Sequence, residues 1–338
     1  MKRLQLGRAG PVVSSIGLGC MGMSGMYGAA AREESLATLR AAMDAGMDLL
    51  DTGDFYGMGH NELLIGESLK GRDRGRFTLS VKFGALRDAA GGWMGFDGRP
   101  AAVKTFLAYS LRRLGTDYID IYRPARLDPN VPIEDTVGAI ADSVRAGYVR
   151  YVGLSEVGAD TIRRAAAVHP ICDVQLEYSL ISRAIEQRIL PACRELGIAV
   201  TAYGVLSRGL LSGHWTAATP AAGDMRAHLP RFQSGNLQHN LALVEALKAV
   251  ASARSVSVAQ LAIAWVAARG ADIVPVLGVR RRDQLAESLA AAQLILSAQD
   301  LSAIERAVPV GAAAGERYAA AQMAHLDSER GQQAGPTP

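Results

Sequence analysis

Three residues in the sequence have the types and spacing to move a proton together. Asp51 and Tyr56 lie in the run Asp51-Thr-Gly-Asp-Phe-Tyr56-Gly57, and Lys82 lies in Ser80-Val-Lys82-Phe83. A tyrosine hydroxyl has an ordinary pKa of about 10 and is a poor proton donor or acceptor at neutral pH. A buried ammonium beside it stabilises the phenolate and lowers that pKa. A carboxylate beside the ammonium keeps it charged and aimed. The tyrosine then becomes a usable general acid for a carbonyl oxygen that is receiving a hydride. The bland alternative for any one of the three is a buried Lys–Asp pair with a packed tyrosine. All three at successive strand ends favour chemistry.

That convergence requires a fold that gathers strand ends at one mouth. The chain alternates short β-branched runs with amphipathic helical stretches, the pattern of βα units around a parallel sheet. Strands are predicted at Ile16 to Gly19, Asp48 to Asp51, Thr78 to Lys82, Tyr118 to Tyr122, Val149 to Leu154, Asp173 to Gln175, Ala199 to Ala202 and Ile273 to Val276. Helices are predicted at Glu33 to Ala45, Asn61 to Lys70, Ala102 to Leu114, Ile133 to Ala146, Ala159 to Val168, Ala184 to Leu196, Asn240 to Ala253, Val258 to Arg269 and Arg282 to Ala292. Arg3 to Leu6 and Val12 to Ser14, around Gly7 and Gly10-Pro11, read as a hairpin ahead of the main fold. The expected class is therefore α/β: a single (β/α)8 TIM barrel with an N-terminal β-hairpin, one domain over residues 1–338. On that fold a polar residue at the C-terminal end of a strand is a functional candidate. Leu206 to His239 reads as a long Gly-, Ser- and Pro-containing loop, and such loops usually have a function, as a lid does. Gly311 to Pro338 reads as an Ala-, Gly- and Gln-rich tail whose last eight or so residues are expected to lack structure.

Gly17-Leu-Gly19-Cys-Met-Gly22 matches the G-x-G-x-x-G pattern of dinucleotide-binding sheets. That reading needs a helix opening directly on the glycines. Here they run into Met23-Ser-Gly-Met-Tyr27-Gly28, and the next helix is expected near Glu33. The segment is read instead as a loop on the catalytic face of a barrel, where backbone can approach a ligand closely.

Composition narrows the remaining classes. Of the 338 residues, 49% are hydrophobic, ample for a core. The charge of +3 comes from 36 basic and 33 acidic residues spread along the chain, which gives no basis for a nucleic-acid surface. Apolar runs fall short of the roughly 20 residues that span a bilayer, so no membrane association is expected. The N-terminus MKRLQLGRAG has no apolar signal region, and a cytoplasmic location is expected. Cys20, Cys172 and Cys193 are odd in number and scattered, which fits a reducing compartment. No histidine pair has metal-binding spacing, so no metal is expected.

Asp51 to Gly57, followed by Asn61-Glu62 and Ile65-Gly66, resembles the active-site segment of the aldo-keto reductase family, of the bacterial, NADPH-dependent type. Tyr118-Ile-Asp-Ile-Tyr122 resembles its fourth strand. Gly153-Leu-Ser155, Gln175-Leu-Glu-Tyr178 and Tyr203-Gly-Val-Leu-Ser-Arg-Gly209 resemble its nicotinamide-binding strands. Val274-Pro-Val-Leu-Gly278-Val-Arg280, with Gln284 and Glu287, resembles its adenosine-phosphate segment. The resemblance implies NADPH-dependent reduction of an aldehyde or ketone to an alcohol. Ser155 and Gln175 would bond the nicotinamide carboxamide, and Tyr203 would stack on the ring. Leu206, Ser207 and Gly209 would cover the pyrophosphate. Arg280 and Gln284 would meet the 2′-phosphate, and Glu287 the adenine amino group. Gly22, Met23, Gly204, Gly278, Ser288 and Asp51 itself complete the implied cofactor set. Tyr27, Trp93, Arg123 and Arg126 are candidates for the substrate side.

Two positions depart from the family pattern. Ala125, in Tyr122-Arg123-Pro-Ala125-Arg126, stands where the family usually has a histidine that donates to the carbonyl. Losing such a donor typically costs about 100- to 1,000-fold in rate. Three substitutes are open: Arg123 or Arg126 reaching the carbonyl, a water, or a wider pocket for a bulkier or more electrophilic carbonyl. Ser288 stands where an asparagine often accompanies the glutamate, which weakens the implied adenine contact. Two other functions stay open: an NADPH-binding barrel that regulates a partner with slow or no turnover, and a Schiff-base lyase using Lys82. Asp51 argues against the lyase, because it holds the lysine protonated.

Overall fold

A computed structural model of the chain describes residues 1–215 and 224–330. A short antiparallel hairpin comes first, β1 (Arg3–Gln5) with β2 (Val12–Ser14). Eight strands then close a barrel: β3 (Gly17–Gly19), β4 (Leu49–Gly53), β5 (Thr78–Phe83), β8 (Ile119–Pro124), β9 (Val149–Ser155), β10 (Ile171–Glu177), β11 (Ala199–Tyr203) and β12 (Ile273–Gly278). They follow one another round the ring in chain order, and every neighbouring pair is parallel. The intervening helices form the outer layer: α1 (Arg32–Asp44), α2 (His60–Leu69), α3 (Pro100–Leu114), α4 (Ile133–Arg145), α5 (Ala159–Val168), α6 (Ile189–Leu196), α7 (Ser234–Ala253), α8 (Val258–Ala267) and α9 (Arg282–Ala291). The expected barrel is thus the observed one. The glycines Gly17 and Gly19 lie within a strand, and a 3-10 turn at Met21–Ser24 separates them from α1, so they do not open a helix.

The hairpin plugs the N-terminal end of the barrel. Leu6 and Val13 are fully buried against Leu49, Ile121, Ala199 and Val274. Gly7 is obligatory at the bend. It has φ +62°, and a Cβ there would come 2.5 Å from the carbonyl oxygen of Cys172. The plug leaves the C-terminal rim as the open end, where β4, β5 and β8 deliver the candidate residues. Pairing sets Asp51 beside Ser80, and Lys82 beside Arg123.

Several elements differ from expectation. A second hairpin, β6 (Ala85–Arg87) with β7 (Trp93–Phe96), stands beside the mouth where a loop was expected. A further helix, α10 (Ala298–Ala307), follows α9; Ser297 and Asp300 form its capping box, a signal that was present in the sequence. The stretch predicted to continue helix six from Ala184 is a 3-10 turn at Ala184–Glu186, and the helix begins at Ile189. Within the segment expected as a long loop, residues 216–223 lie outside the described residues. The rest contains 3-10 turns at Ser207–Ser212, Met225–His228 and Pro230–Phe232, and α7 begins already at Ser234. The last eight residues also lie outside the described ones, but 311–330 include a short helix at Ala320–Met323 and a 3-10 turn at Asp327–Glu329. No single helix among the described residues is long and apolar enough to cross a membrane; one bent pair, α7 with α8, passes on length and composition alone.

The barrel interior is partly polar. Arg123 is fully buried, and its Nη1 donates to Oδ2 of Asp173 at 2.9 Å and to the Thr201 hydroxyl at 3.2 Å. Its Nη2 donates to the Ser80 hydroxyl at 3.0 Å. Strand alternation explains the placement: the Tyr122 ring points outward, its hydroxyl donating to the Val103 carbonyl on α3, so Arg123 points inward. The expectation that Arg123 reaches a substrate is therefore corrected, since its guanidinium is committed inside the barrel. Removing one partner of a buried pair strands the other's charge, at a cost of about 3 to 5 kcal/mol. Asp173→Ala is expected to lose that much in chemical denaturation. Pairing Arg123→Met with Asp173→Leu should lose much less, and a loss under about 1 kcal/mol for Asp173→Ala alone would contradict the account.

Candidate active site

Tyr56 is presented by a tight turn. Gly57, Met58 and Gly59 follow it with φ of 57°, 54° and 96°, three successive left-handed residues. Glycine suits two of those positions, and a Cβ at Gly59 would come 2.7 Å from Nε of Arg113. Asn61, at the start of α2, fastens the turn. It accepts from the Thr52 hydroxyl at 2.7 Å and donates to the Cys20 carbonyl at 2.8 Å and the Ser24 hydroxyl at 2.7 Å. This ties the loops after β3 and β4 to one amide side chain. The Phe55 ring packs edge-on to Tyr56, with centroids 4.7 Å apart.

Asp51, Tyr56 and Lys82 do come together. Lys82 Nζ donates to Asp51 Oδ2 at 2.6 Å and lies 5.1 Å from the centroid of the Tyr56 ring. All three are nearly inaccessible, at 4%, 6% and 3% exposure, so their mutual fields are weakly screened. Asp51 Oδ1 accepts from Ser80 at 2.9 Å and from Gln175 Nε2 at 2.7 Å. Burial pushes the Tyr56 hydroxyl well above its ordinary value, and the Asp51 charge adds to that; Arg126 opposes them. The expected lowering of this pKa is thus reversed. The phenol keeps its proton at neutral pH but is a weaker acid than a free tyrosine, so giving that proton up requires stabilisation of the phenolate by the Lys82 ammonium. Burial also lowers the pKa of Lys82, and Asp51 works against it.

The residues expected around a cofactor line the same rim. Ser155 at the end of β9 and Ser207 after β11 are buried, and neither hydroxyl has a partner among the described residues. Ser207, Arg208 and Gly209 have φ of 45°, 58° and 96°, a strained left-handed run of the kind found at ligand clamps. The Leu206 carbonyl accepts from Gly209 N at 2.9 Å. Gly204 also has positive φ, 66°, and Gly278 has open space where its Cβ would stand. Gly22 and the buried Met23 lie in the turn after β3, and a Cβ on Gly22 would come 3.9 Å from Cδ of Arg280. Arg280 Nη1 donates to the carbonyls of Tyr27 at 3.0 Å and Ala29 at 3.4 Å, and its backbone N to Gln284 Oε1 at 3.3 Å. It makes no ion pair among the described residues. Arg281 and Arg282, by contrast, pair with Asp283 and Glu34.

Two residues implied at the adenine end have partners within the protein. The Glu287 carboxylate accepts from the Ser257 hydroxyl at 2.5 Å and faces His214. Ser288 is buried and donates to the Gln284 carbonyl one turn back, so its hydroxyl serves its own helix. Trp93 stands on β7, half exposed, with Arg87 stacked 3.5 Å from its ring centroid and Phe55 at 5.7 Å. It reaches the Tyr56 turn through Phe55.

Sequence reasoning missed the C-terminal segment. Arg317 and Tyr318 fold back over the barrel. Arg317 Nη2 donates to Glu156 Oε2 at 2.5 Å, and Nη1 to the Tyr203 hydroxyl at 3.3 Å. The Tyr318 hydroxyl lies 3.2 Å from that of Tyr203. Glu156 and Glu177 are buried acids just past β9 and at the end of β10. Arg208 pairs with Glu177 at 2.9 Å. Burial would raise the pKa of Glu156, yet Arg317 and Arg126 hold it below the usual carboxylate range.

The family model that describes the "Aldo/keto reductase family" matches residues 15–309. The chain belongs to the aldo-keto reductase family. A probable aldo-keto reductase 1 from Glycine max is 41% identical over 319 residues, covering 93% of this chain and 91% of that protein. Among solved structures, an aldo-keto reductase from Bacillus halodurans in its holo form is 27% identical with a TM-score of 0.75, covering 94% of this chain and 98% of that one. One from Klebsiella pneumoniae, solved with NADP and acetate, is 27% identical with a TM-score of 0.73, covering 94% and 99%. A glycerol dehydrogenase from Gluconobacter oxydans reaches a TM-score of 0.82, covering 99% and 97%, at 24% identity, and that likeness concerns the fold.

One carboxyl in this aldo-keto reductase titrates near neutrality. Burial pushes Asp54 up to about 7, and the neighbouring Glu62 charge adds to it, while the Gly84 amide, 3.3 Å away, and Arg113 oppose it. The folded pKa lies above the unfolded one, so the folded state holds a proton that the unfolded state has released. That contribution is complete below the unfolded pKa and is lost as pH rises through about 7. Asp54→Asn has no such proton to lose. Its melting temperature is expected to fall less than the parent's between about pH 5 and about pH 8, and an equal or steeper fall would refute the assignment.

Proposed function

We propose that this aldo-keto reductase reduces an aldehyde or ketone to the alcohol with NADPH, and that Tyr56 gives the proton. The observation that carries the reading is the neutral, buried Tyr56 phenol beside the Lys82–Asp51 pair at the barrel mouth. NADPH, when bound, supplies the hydride. As negative charge grows on a carbonyl oxygen, the hydroxyl of Tyr56 donates to it and then transfers its proton. The ammonium of Lys82, fixed by Asp51, stabilises the phenolate that remains. Ser80 and Gln175 hold Asp51 in place through both steps.

The residues present fit the cofactor. The hydroxyls of Ser155 and Ser207 are buried and have no hydrogen-bond partner among the described residues, as residues that bond a carboxamide and a phosphate should be. Tyr203 offers a ring at the same rim. The choice of NADPH over NADH rests on Arg280. It precedes the N-terminus of α9, its guanidinium donates only to backbone carbonyls among the described residues, and the like charges of Arg226 and Arg281 press on it. An incoming phosphate relieves that crowding. The Klebsiella pneumoniae relative, which holds NADP, supports the same choice.

Two measurements test this reading. Tyr56→Phe is expected to lower carbonyl reduction by about 100- to 10,000-fold, with NADPH binding by fluorescence nearly intact; full turnover would end the assigned role. Arg280→Ala is expected to weaken NADPH about 10- to 100-fold and to leave NADH almost unchanged. Equal weakening of both cofactors would remove the 2′-phosphate assignment.

A further inference from the structure

We propose that the substrate carries a carboxylate and that Arg126 is the group that holds it, an inference that rests on the reductase reading above. Most cations at this rim have acids. Lys82 has Asp51, Arg208 has Glu177, Arg317 has Glu156, and Arg231 lies 3.6 Å from Glu177. Arg126 follows β8, is half-buried, and makes no ion pair among the described residues. Its side chain's one hydrogen bond among the described residues runs from Nη1 to the carbonyl of its neighbour Ala125, at 2.6 Å. Glu156 is the acid that acts on it, but both Glu156 oxygens are taken. Oε1 accepts from the Glu177 amide at 3.0 Å and from Arg317 at 3.2 Å; Oε2 accepts from Arg317 at 2.5 Å and from Ser328 at 2.6 Å.

A half-buried guanidinium with most of its donors unused has bonds left to make, and its planar fork matches a carboxylate. Arg126 stands two residues past the end of β8, the strand paired with the one that carries Lys82, so it shares the rim from which the proton donor is presented, and its charge acts on the Tyr56 hydroxyl. The cofactor's phosphates are not that anion. The residues proposed to hold them follow β11 and β12, and β8 is opposite β12 in the ring, reached through β3, β4 and β5 one way and through β11, β10 and β9 the other. Ala125, at 2% exposure, offers no donor where the family usually has one. A substrate clamped by its carboxylate is oriented by that remote contact instead.

The test uses the full chain with NADPH and two pairs of aldehydes: succinic semialdehyde and terephthalaldehydic acid, each against its methyl ester. The parent is expected to prefer each acid by roughly 10- to 100-fold in kcat/KM. Arg126→Gln should bring that ratio close to unity, and Arg126→Lys should restore part of it. A parent that reduces the esters as well as the acids overturns the proposal and leaves the reductase reading standing. So does an Arg126→Gln variant that keeps the preference. Calorimetric titration of the NADP-loaded protein with γ-hydroxybutyrate separates the two claims. Binding that depends on Arg126 without any aldehyde turnover supports the carboxylate site and sinks the reductase. Absence of binding in the parent overturns the site whatever the turnover.

Discussion

Burying an ionised carboxylate requires donors on every side, and Asp51 is given three: the Lys82 ammonium, the Ser80 hydroxyl and the Gln175 amide. Much of the molecule follows from satisfying that one group. Lys82 is pinned, which sets its charge against the Tyr56 ring. Ser80 is in turn a partner of Arg123, and Arg123 reaches across the interior to Asp173 and Thr201. One polar chain therefore runs from the reacting end of the barrel into its packed centre. The same contacts that set the surroundings of Tyr56 also hold β4, β5, β8, β10 and β11 together.

A second set of charges organises the rim. Glu156 and Glu177 lie at the ends of adjacent strands and draw in cations from three separate segments: Arg208 from the loop after β11, Arg231 from the turn before α7, and Arg317 from the C-terminal stretch. Glu156 itself sits at φ 53°, a costly conformation for a side chain other than glycine, and its ion pairs offset that cost. Each recruited arginine brings a piece of wall. Arg208 also lies over the Tyr318 ring, 4.5 Å from its centroid, so the loop proposed to cover the cofactor and the C-terminal stretch share one contact.

The barrel was legible because period and punctuation agree locally. Val149 to Leu154 and Ala159 to Val168 could be bounded within a residue or two from β-branching and apolar spacing. The Asp51–Tyr56–Lys82 convergence was legible because all three lie at ends of consecutive strands. Arg123 was misplaced for the opposite reason. Strand parity points it inward, but a charge inside a barrel runs against the usual preference, and its partner Asp173 is fifty residues away. Arg317 and Tyr318 left no signal at all, since a pairing 161 residues apart has no local pattern and the surrounding Ala and Gly read as tail. The direction of the Tyr56 shift depended on burial, which no spacing reports. Glu287 and Ser288 show a finer limit: the helix was placed correctly, but nearby partners decided where the side chains turned.

The Glu156–Arg317 pair makes the catalytic wall a joint product of the middle and the end of the chain. During synthesis every barrel strand emerges from the ribosome before Arg317 does. A nascent or clipped polypeptide that stops short of it would leave the Glu156 carboxylate without the arginine that bonds it directly. The mouth is thus completed last, and a cut ahead of Arg317 would remove that ion pair from it.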